Sequence, residues 1–226
     1  MNESVSNNEN VKETSRIEAF SDGVFAIAIT LLILEIHVPT VKANETLLHS
    51  VLSEWTSLIA FLIGFFTLLI CWINHHYMFT MIHKSNSILS LFNGFKLLVV
   101  TVTPFATALL AKNIQSAWEQ AAVNIYCFNF ALMGFAMTGI WLYAKQQNFI
   151  KSGSANKLKA VTRLYIFAGF YSTLIWLVSF VSIIASFALF CIMFMIFVFP
   201  EKIVAMQMSR ARNKTVSISK VEVPTI

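Results

Sequence analysis

Between Arg163 and Glu201 the chain runs for 37 residues, Leu164 to Pro200, without one charged side chain. A single helix over that run would measure roughly 55 Å, nearly twice the roughly 30 Å of a bilayer's hydrocarbon core. The run therefore reads as two membrane spans. Ser179 and Ser182 flank Phe180-Val181 near its middle, and a break there leaves each half close to the minimum crossing length. Four further apolar stretches precede it. Together they predict an all-α integral membrane protein of six transmembrane helices, over about 17–38, 55–77, 88–111, 120–143, 163–180 and 182–200. A polar N-terminal tail (1–15) and a basic tail (201–226) flank this transmembrane domain (16–200).

Composition removes the soluble alternatives. Apolar residues make up 57% of the 226 and charged residues 12%, against about 25% charged in soluble domains, too few to cover a water-facing surface. Six spans leave no room for a nucleotide-binding domain, and neither GxGxxG nor GxxxxGK occurs. Cys71, Cys127 and Cys191 sit in apolar runs with no CxxC spacing, so they read as small core residues and not as disulfides or zinc ligands. Residues 1–15 lack a basic-then-apolar start and a small-residue cleavage site, so the first span is expected to act as its own insertion signal.

The net charge of +5 would suggest nucleic acid in a soluble protein; here it sets orientation, and no nucleic-acid partner is expected. On the six-span map Lys12, Arg16, Lys84, Lys145, Lys151, Lys157, Lys159, Arg163, Lys202, Arg210, Arg212, Lys214 and Lys220 fall on one side. Only Lys42 and Lys112 fall on the other, and Lys96 lies within the third span. By the positive-inside rule both termini are cytoplasmic. One helix over 164–200 would put the basic tail outside.

The first span is the exception among apolar helices. Gly23 to Leu34 gives only 12 uncharged residues between Asp22 and Glu35, about 18 Å of helix. Crossing therefore takes at least one carboxylate to the membrane's edge or inside it, where a lipid-facing acid costs about 2.5–3.5 kcal/mol. Glu35, beside His37 and Pro39, reads as an interfacial cap. Asp22 has candidate partners at matching depth: Arg16 on its own segment, Trp72, His75 and His76 late in the second span, and Asn93 and Lys96 in the third. These predict a structural polar knot joining the first three helices, with an Asp22–Lys96 or Asp22–Arg16 pair. His75 and His76 point about 100° apart on a helix, and no HExxH occurs, so no metal is expected.

The same span carries Ile27, Leu31 and Leu34 at i, i+4, i+7, with Thr30 among them. Such a stripe packs in a core or against lipid, or it lines a pore if several copies surround an axis, because rings of Ile and Leu stop ions by dewetting. Periodicity leaves both readings open.

The segment Arg16-Ile17-Glu18-Ala19-Phe20-Ser21-Asp22-Gly23 resembles the R-x-x-x-F-S-D motif that opens the first helix of the transmembrane protein 175 family, lysosomal-type potassium channels and their prokaryotic relatives. The likeness continues to Glu35; beyond it come Trp72 and His75/His76 in the second helix and Asn93/Lys96 in the third, and the last three helices match in hydropathy alone. The resemblance implies a potassium-favouring cation channel in the cell membrane, a homotetramer with helix one around the pore, conducting other monovalent cations more weakly and using no cofactor. It implies a constriction at Ile27 and Leu34, with Leu31 lining in the prokaryotic type, and cation preference at Thr30. It also implies a network of Arg16, Ser21 and Asp22 with Trp72, His75 or His76, Asn93 and Lys96. A second F-S-D motif is absent, as in the single-repeat prokaryotic form; no T-V-G-Y-G filter or Arg-rich voltage sensor occurs. The alternative is a proton-coupled secondary transporter using Asp22, Lys96 and the histidines, but Pro104 is the lone proline inside a span and has no counterpart in the second half. An enzyme is not expected, since no nucleophile–base pair is evident.

Overall fold

In the hydrocarbon of a bilayer the polar backbone groups have no hydrogen-bond partners but one another. The computed structural model, which describes residues 14–36, 46–151 and 153–209, is helical nearly throughout. The elements are α1 (Ser15–Leu31) with a 3₁₀ extension over Leu32–Glu35, a short α2 (Leu47–Ser53), α3 (Trp55–Phe79), α4 (Ser87–Asn113), α5 (Glu119–Gln146), α6 (Ala155–Ser179) and α7 (Ile183–Phe197). The expected break in the charge-free run falls between α6 and α7. There Ser182 caps the new helix, its Oγ accepting from the Ala185 N–H at 3.2 Å.

Five of these helices are long and apolar enough to cross a membrane alone. The candidate for a sixth crossing is bent: α7 has 15 residues, about 22 Å, and the chain then turns by 75° into a further helical stretch, Pro200–Ser209. Residues 201–209, expected as tail, thus begin as helix. The end of the first predicted span at 37–38, Lys42, most of the N-terminal tail and the tail beyond 209 lie outside the described residues.

Side-chain volume and polarity set the packing. Gly134 on α5 and Gly169 on α6 lie against each other's helices: a β-carbon at Gly134 would collide with Ser172 Oγ, and one at Gly169 would come within 2.8 Å of Thr138 Oγ1. Small residues let membrane helices approach this closely. The approach is sealed by Thr138 Oγ1 donating to the Tyr165 carbonyl (2.7 Å) and Trp141 Nε1 donating to Thr162 Oγ1 (3.0 Å). On α4, Asn129 of α5 donates to Thr103 Oγ1 (3.0 Å), next to Pro104, which lacks an N–H to give.

At one end of the bundle the chain ties its loops together. Ile82 and Ile150 form an isolated antiparallel bridge, the Lys151 N–H donates to the Met81 carbonyl at 2.9 Å, and the buried Thr14 hydroxyl donates to the Ile82 carbonyl at 3.2 Å. The start of α1 and the α3–α4 and α5–α6 connections, with Lys84, Lys145 and Lys151, therefore share one end. At the other end the Gln120 side chain donates to the Ser179 carbonyl, joining the start of α5 to the end of α6.

Candidate functional site

Among the described residues α1 rests chiefly on α3 and α4. Its buried positions are Ser21, Phe25 and Ala28, followed by Leu32 in the 3₁₀ turn, spaced so that they fall on one side of the helix. The opposite side carries Gly23, Ile27, Thr30 and Leu34, all exposed. Ile27 and Leu34 are 62% and 73% exposed, and nothing lies within 4 Å of where a β-carbon on Gly23 would stand. Leu31, at 43%, sits on the flank of this line. Thr30 Oγ1 donates back to the Ala26 and Ile27 carbonyls (3.0 and 2.9 Å). Its proton is thus occupied within the helix, and its lone pairs are left on the open face.

What fixes this face is a polar chain on the buried side. Ser21 Oγ donates to the Ile17 carbonyl (2.7 Å) and accepts from Asn93 Nδ2 (2.9 Å). The Asn93 amide oxygen lies 2.9 Å from His75 Nε2. Since that oxygen can only accept, His75 is the tautomer protonated at Nε2. All three side chains are buried, and the two bonds between them join α1 to α4 and α4 to α3. The two histidines part company: His75 is inside, tilted against Phe25 and Phe79, while His76 is exposed and stacked on Trp72 with ring centroids 5.8 Å apart.

Asp22 is exposed beside this chain, and its partner is Trp72, whose indole N–H donates to the carboxylate at 2.8 Å. The expected direct Asp22–Lys96 pair is not formed. Lys96 is fully buried with its ammonium 4.5 Å from the centroid of the Phe25 ring, and its Nζ has no hydrogen-bond partner among the described residues. The reason is geometric: Asp22 lies on the exposed flank next to the buried line of α1, whereas Lys96 points into that line. Arg16 is exposed at the start of α1. Asp22, the histidines and Lys96 therefore do not make one continuous hydrogen-bonded relay. Among the described residues no three His, Cys, Asp or Glu side chains gather into a metal-sized group.

Sequence reasoning missed three anchors: Thr14 on Ile82, Asn86 donating to the Tyr143 hydroxyl (2.9 Å), and Asn74 donating to the Phe197 carbonyl at the end of α7 (2.9 Å). Their signal was available, since Asn inside or beside an apolar helix needs a partner.

Comparison with known proteins follows this geometry. The family profile described as "Endosomal/lysosomal potassium channel TMEM175" matches residues 16–104, from the start of α1 to Pro104 in α4. A potassium channel of Chamaesiphon minutus is 39% identical over 175 residues, 76% of this chain and 86% of the relative. One of Streptomyces collinus is 37% identical over 132 residues, 58% of this chain and 64% of the relative. The crystal structure of a lysosomal potassium-selective channel TMEM175 homolog from Chamaesiphon minutus superposes with a TM-score of 0.71 at 35% identity, covering 87% of this chain and 99% of that one.

Proposed function

The chain belongs to the TMEM175 family, and on that premise we propose that it is a potassium-favouring cation channel whose pore is lined by α1. One observation carries the reading. α1 is fastened on one side by a buried polar chain and leaves Gly23, Ile27, Thr30 and Leu34 uncovered on the other. A lipid-facing helix has no need of Gly and Thr in such a line; a pore-lining one uses both.

Four copies around one axis in the cell membrane turn each open position into a ring. The Ile27 and Leu34 rings, about 10 Å apart along the helix, narrow the path and stop ions by excluding water. Between them the Thr30 ring presents hydroxyl oxygens whose protons are directed back into the helix, so a partly dehydrated cation meets lone pairs. Potassium gives up its water more cheaply than sodium, and weak hydroxyl ligands favour it for that reason. Leu31, on the flank, packs between neighbouring copies and touches the path at its edge.

The polar set has a positioning role. Ser21, Asn93 and His75, with the Asp22–Trp72 bond, hold α1 in one rotation against α3 and α4. Arg16 and the basic loops lie at the cytoplasmic end, as the positive-inside rule requires. Lys96 places a positive charge behind the pore wall without entering the path.

The test is flux from liposomes containing the purified protein, run down a potassium gradient with a parallel set in sodium. The reading requires potassium flux that does not saturate, is smaller in sodium, and needs no proton gradient. Flux that appears only with a coupled proton gradient would replace it with the transporter.

A further inference from the structure

α7 does not run straight into water. It spans about 22 Å of the roughly 30 Å hydrocarbon core, and the chain then turns by 75° into Pro200–Ser209. The turn is anchored, because Asn74, near the end of α3, donates to the Phe197 carbonyl at 2.9 Å. That is the end of the bundle where the α3–α4 and α5–α6 connections carry Lys84, Lys145 and Lys151. Roughly 15 Å of helix inclined at 75° advances only about 4 Å along the axis of α7. The stretch therefore lies across the bundle's end, at the border between hydrocarbon and headgroups.

One side of this helix belongs to the bundle. Val204 is buried in the main core, and Ile203 and Met208 pack against it. The other side carries Glu201, Lys202, Ala205, Met206 and Ser209, all exposed, and its two flanks differ. Met206 and Lys202 stand about 40° apart round the helix, whereas Glu201 is about 100° further on. Phe199, just before the helix, is also exposed, and Lys202 Nζ rests 4.4 Å from its ring centroid. One flank is thus apolar with an ammonium at its border, and the other carries the acid. The sequence then adds Arg210, Arg212 and Lys214, with no acid before Glu222. Lys157, Lys159 and Arg163, exposed at the start of α6, lie at the same end of the bundle.

We propose that the helix Pro200–Ser209 is a docking surface for anionic phospholipids of the adjoining leaflet. Phe199 and Met206 enter the acyl boundary, Lys202 meets lipid phosphate, and the charge of Arg210, Arg212 and Lys214 adds to the attraction. An in-plane helix with one apolar and one polar flank takes this position in a bilayer, and the stem of Lys202 follows the apolar surface while its head stays among the headgroups. Charge selects the lipid. From Pro200 to Lys214 four cations face one acid, Glu201, so a zwitterionic headgroup leaves the excess uncompensated and a net negative one does not. Orientation by the positive-inside rule asks only for cations on one side; it does not ask for a helix laid along the surface with an ammonium over an exposed ring.

The test reads lipid contact and not ion flux, so its failure leaves the channel reading standing, and the reverse holds too. In the full chain with Cys71→Ser, Cys127→Ala and Cys191→Ser, Ala205→Cys is labelled with the fluorophore NBD and reconstituted in phosphatidylcholine liposomes. Quenching is compared between 5-doxyl phosphatidylglycerol and 5-doxyl phosphatidylcholine at equal mole fraction. Each Lys or Arg near a membrane surface is worth about fivefold in attraction to anionic lipid. The expected result is a relative association at least about fivefold in favour of phosphatidylglycerol. The ratio should approach one when Lys202, Arg210, Arg212 and Lys214 are all changed to Gln. It should also fall in the unneutralised chain at about 0.5 M KCl, where charge is screened. Ile184→Cys, at the far end of α7 and 83% exposed, should show no preference. Equal quenching by the two lipids at position 205, a preference that survives neutralisation and salt, the same preference at position 184, or no quenching at 205 by either lipid would each overturn the proposal.

Discussion

Replacing Lys96 with Met should make the protein more stable. The side chain is fully buried, its ammonium has no hydrogen-bond acceptor among the described residues, and it lies over the face of Phe25, 4.5 Å from the ring centroid. A desolvated cation–π contact is worth about 2 kcal/mol, whereas burying an ammonium costs several kcal/mol even after relaxation. Asp22 adds little, because it is exposed and already bonded to Trp72, so removing Lys96 strands no buried partner. The balance favours Met, which keeps the stem's volume, by about 1–4 kcal/mol. Lys96→Ala separates charge from packing: it removes the same ammonium but leaves a cavity, and should fall about 2–5 kcal/mol below the Met variant. Equilibrium unfolding of the purified protein in mixed SDS–detergent micelles, followed by tryptophan fluorescence, gives both differences. A Met variant that unfolds at lower SDS than the parent would refute the reasoning and mean that the ammonium has an acceptor in the assembled protein.

Other outcomes follow from particular contacts. Gly134→Ala sets a β-carbon against Ser172 and should cost about 1–3 kcal/mol in the same unfolding assay, with Ser172→Ala restoring part of the loss. Ser21→Ala and Asn93→Ala should be non-additive by about 0.6 kcal/mol, the usual size of a helix–helix hydrogen bond in a membrane; strict additivity in a double-mutant cycle would show that the 2.9 Å bond contributes nothing. If Ile27 and Leu34 form the proposed constriction, Ile27→Asn or Leu34→Asn should hydrate it and raise potassium flux from liposomes. Thr30→Ala should narrow the difference between potassium and sodium flux without lowering stability, since among the described residues its hydroxyl bonds to its own helix alone.

The helices and the oddity of the first one were legible in the sequence for a physical reason. Charge is so costly in lipid that Leu164–Pro200 could only be membrane, and Asp22 could only be a problem needing a partner. Which partner was not legible. Trp72, His75, Asn93 and Lys96 lie within one or two turns of a common depth, and spacing along a helix gives depth far better than it gives rotation. About a quarter of a helical turn separates Asp22 from the buried line that Lys96 faces, and the Asp22–Trp72 bond forms instead. The same limit applied to His75 and His76, which the structure separates into a buried donor and an exposed ring. The two faces of α1 were hidden because Ile27 and Leu34 are as apolar as Phe25 and Leu32. Burial by α3 and α4 distinguishes them, and hydropathy does not.

The most direct measurement asks whether the open face of α1 meets water. In a Cys71→Ser, Cys127→Ala, Cys191→Ser background, Leu34→Cys is reconstituted in liposomes and treated with a membrane-impermeant, positively charged methanethiosulfonate while potassium flux is recorded. Ile184→Cys, 83% exposed on α7, is the lipid-facing control. A pore-lining α1 predicts that flux falls steeply on modification of position 34 and is unchanged for position 184. Flux unaffected by the reagent at position 34, with the thiol still free afterwards, would mean that this face is turned to lipid and that the path lies elsewhere.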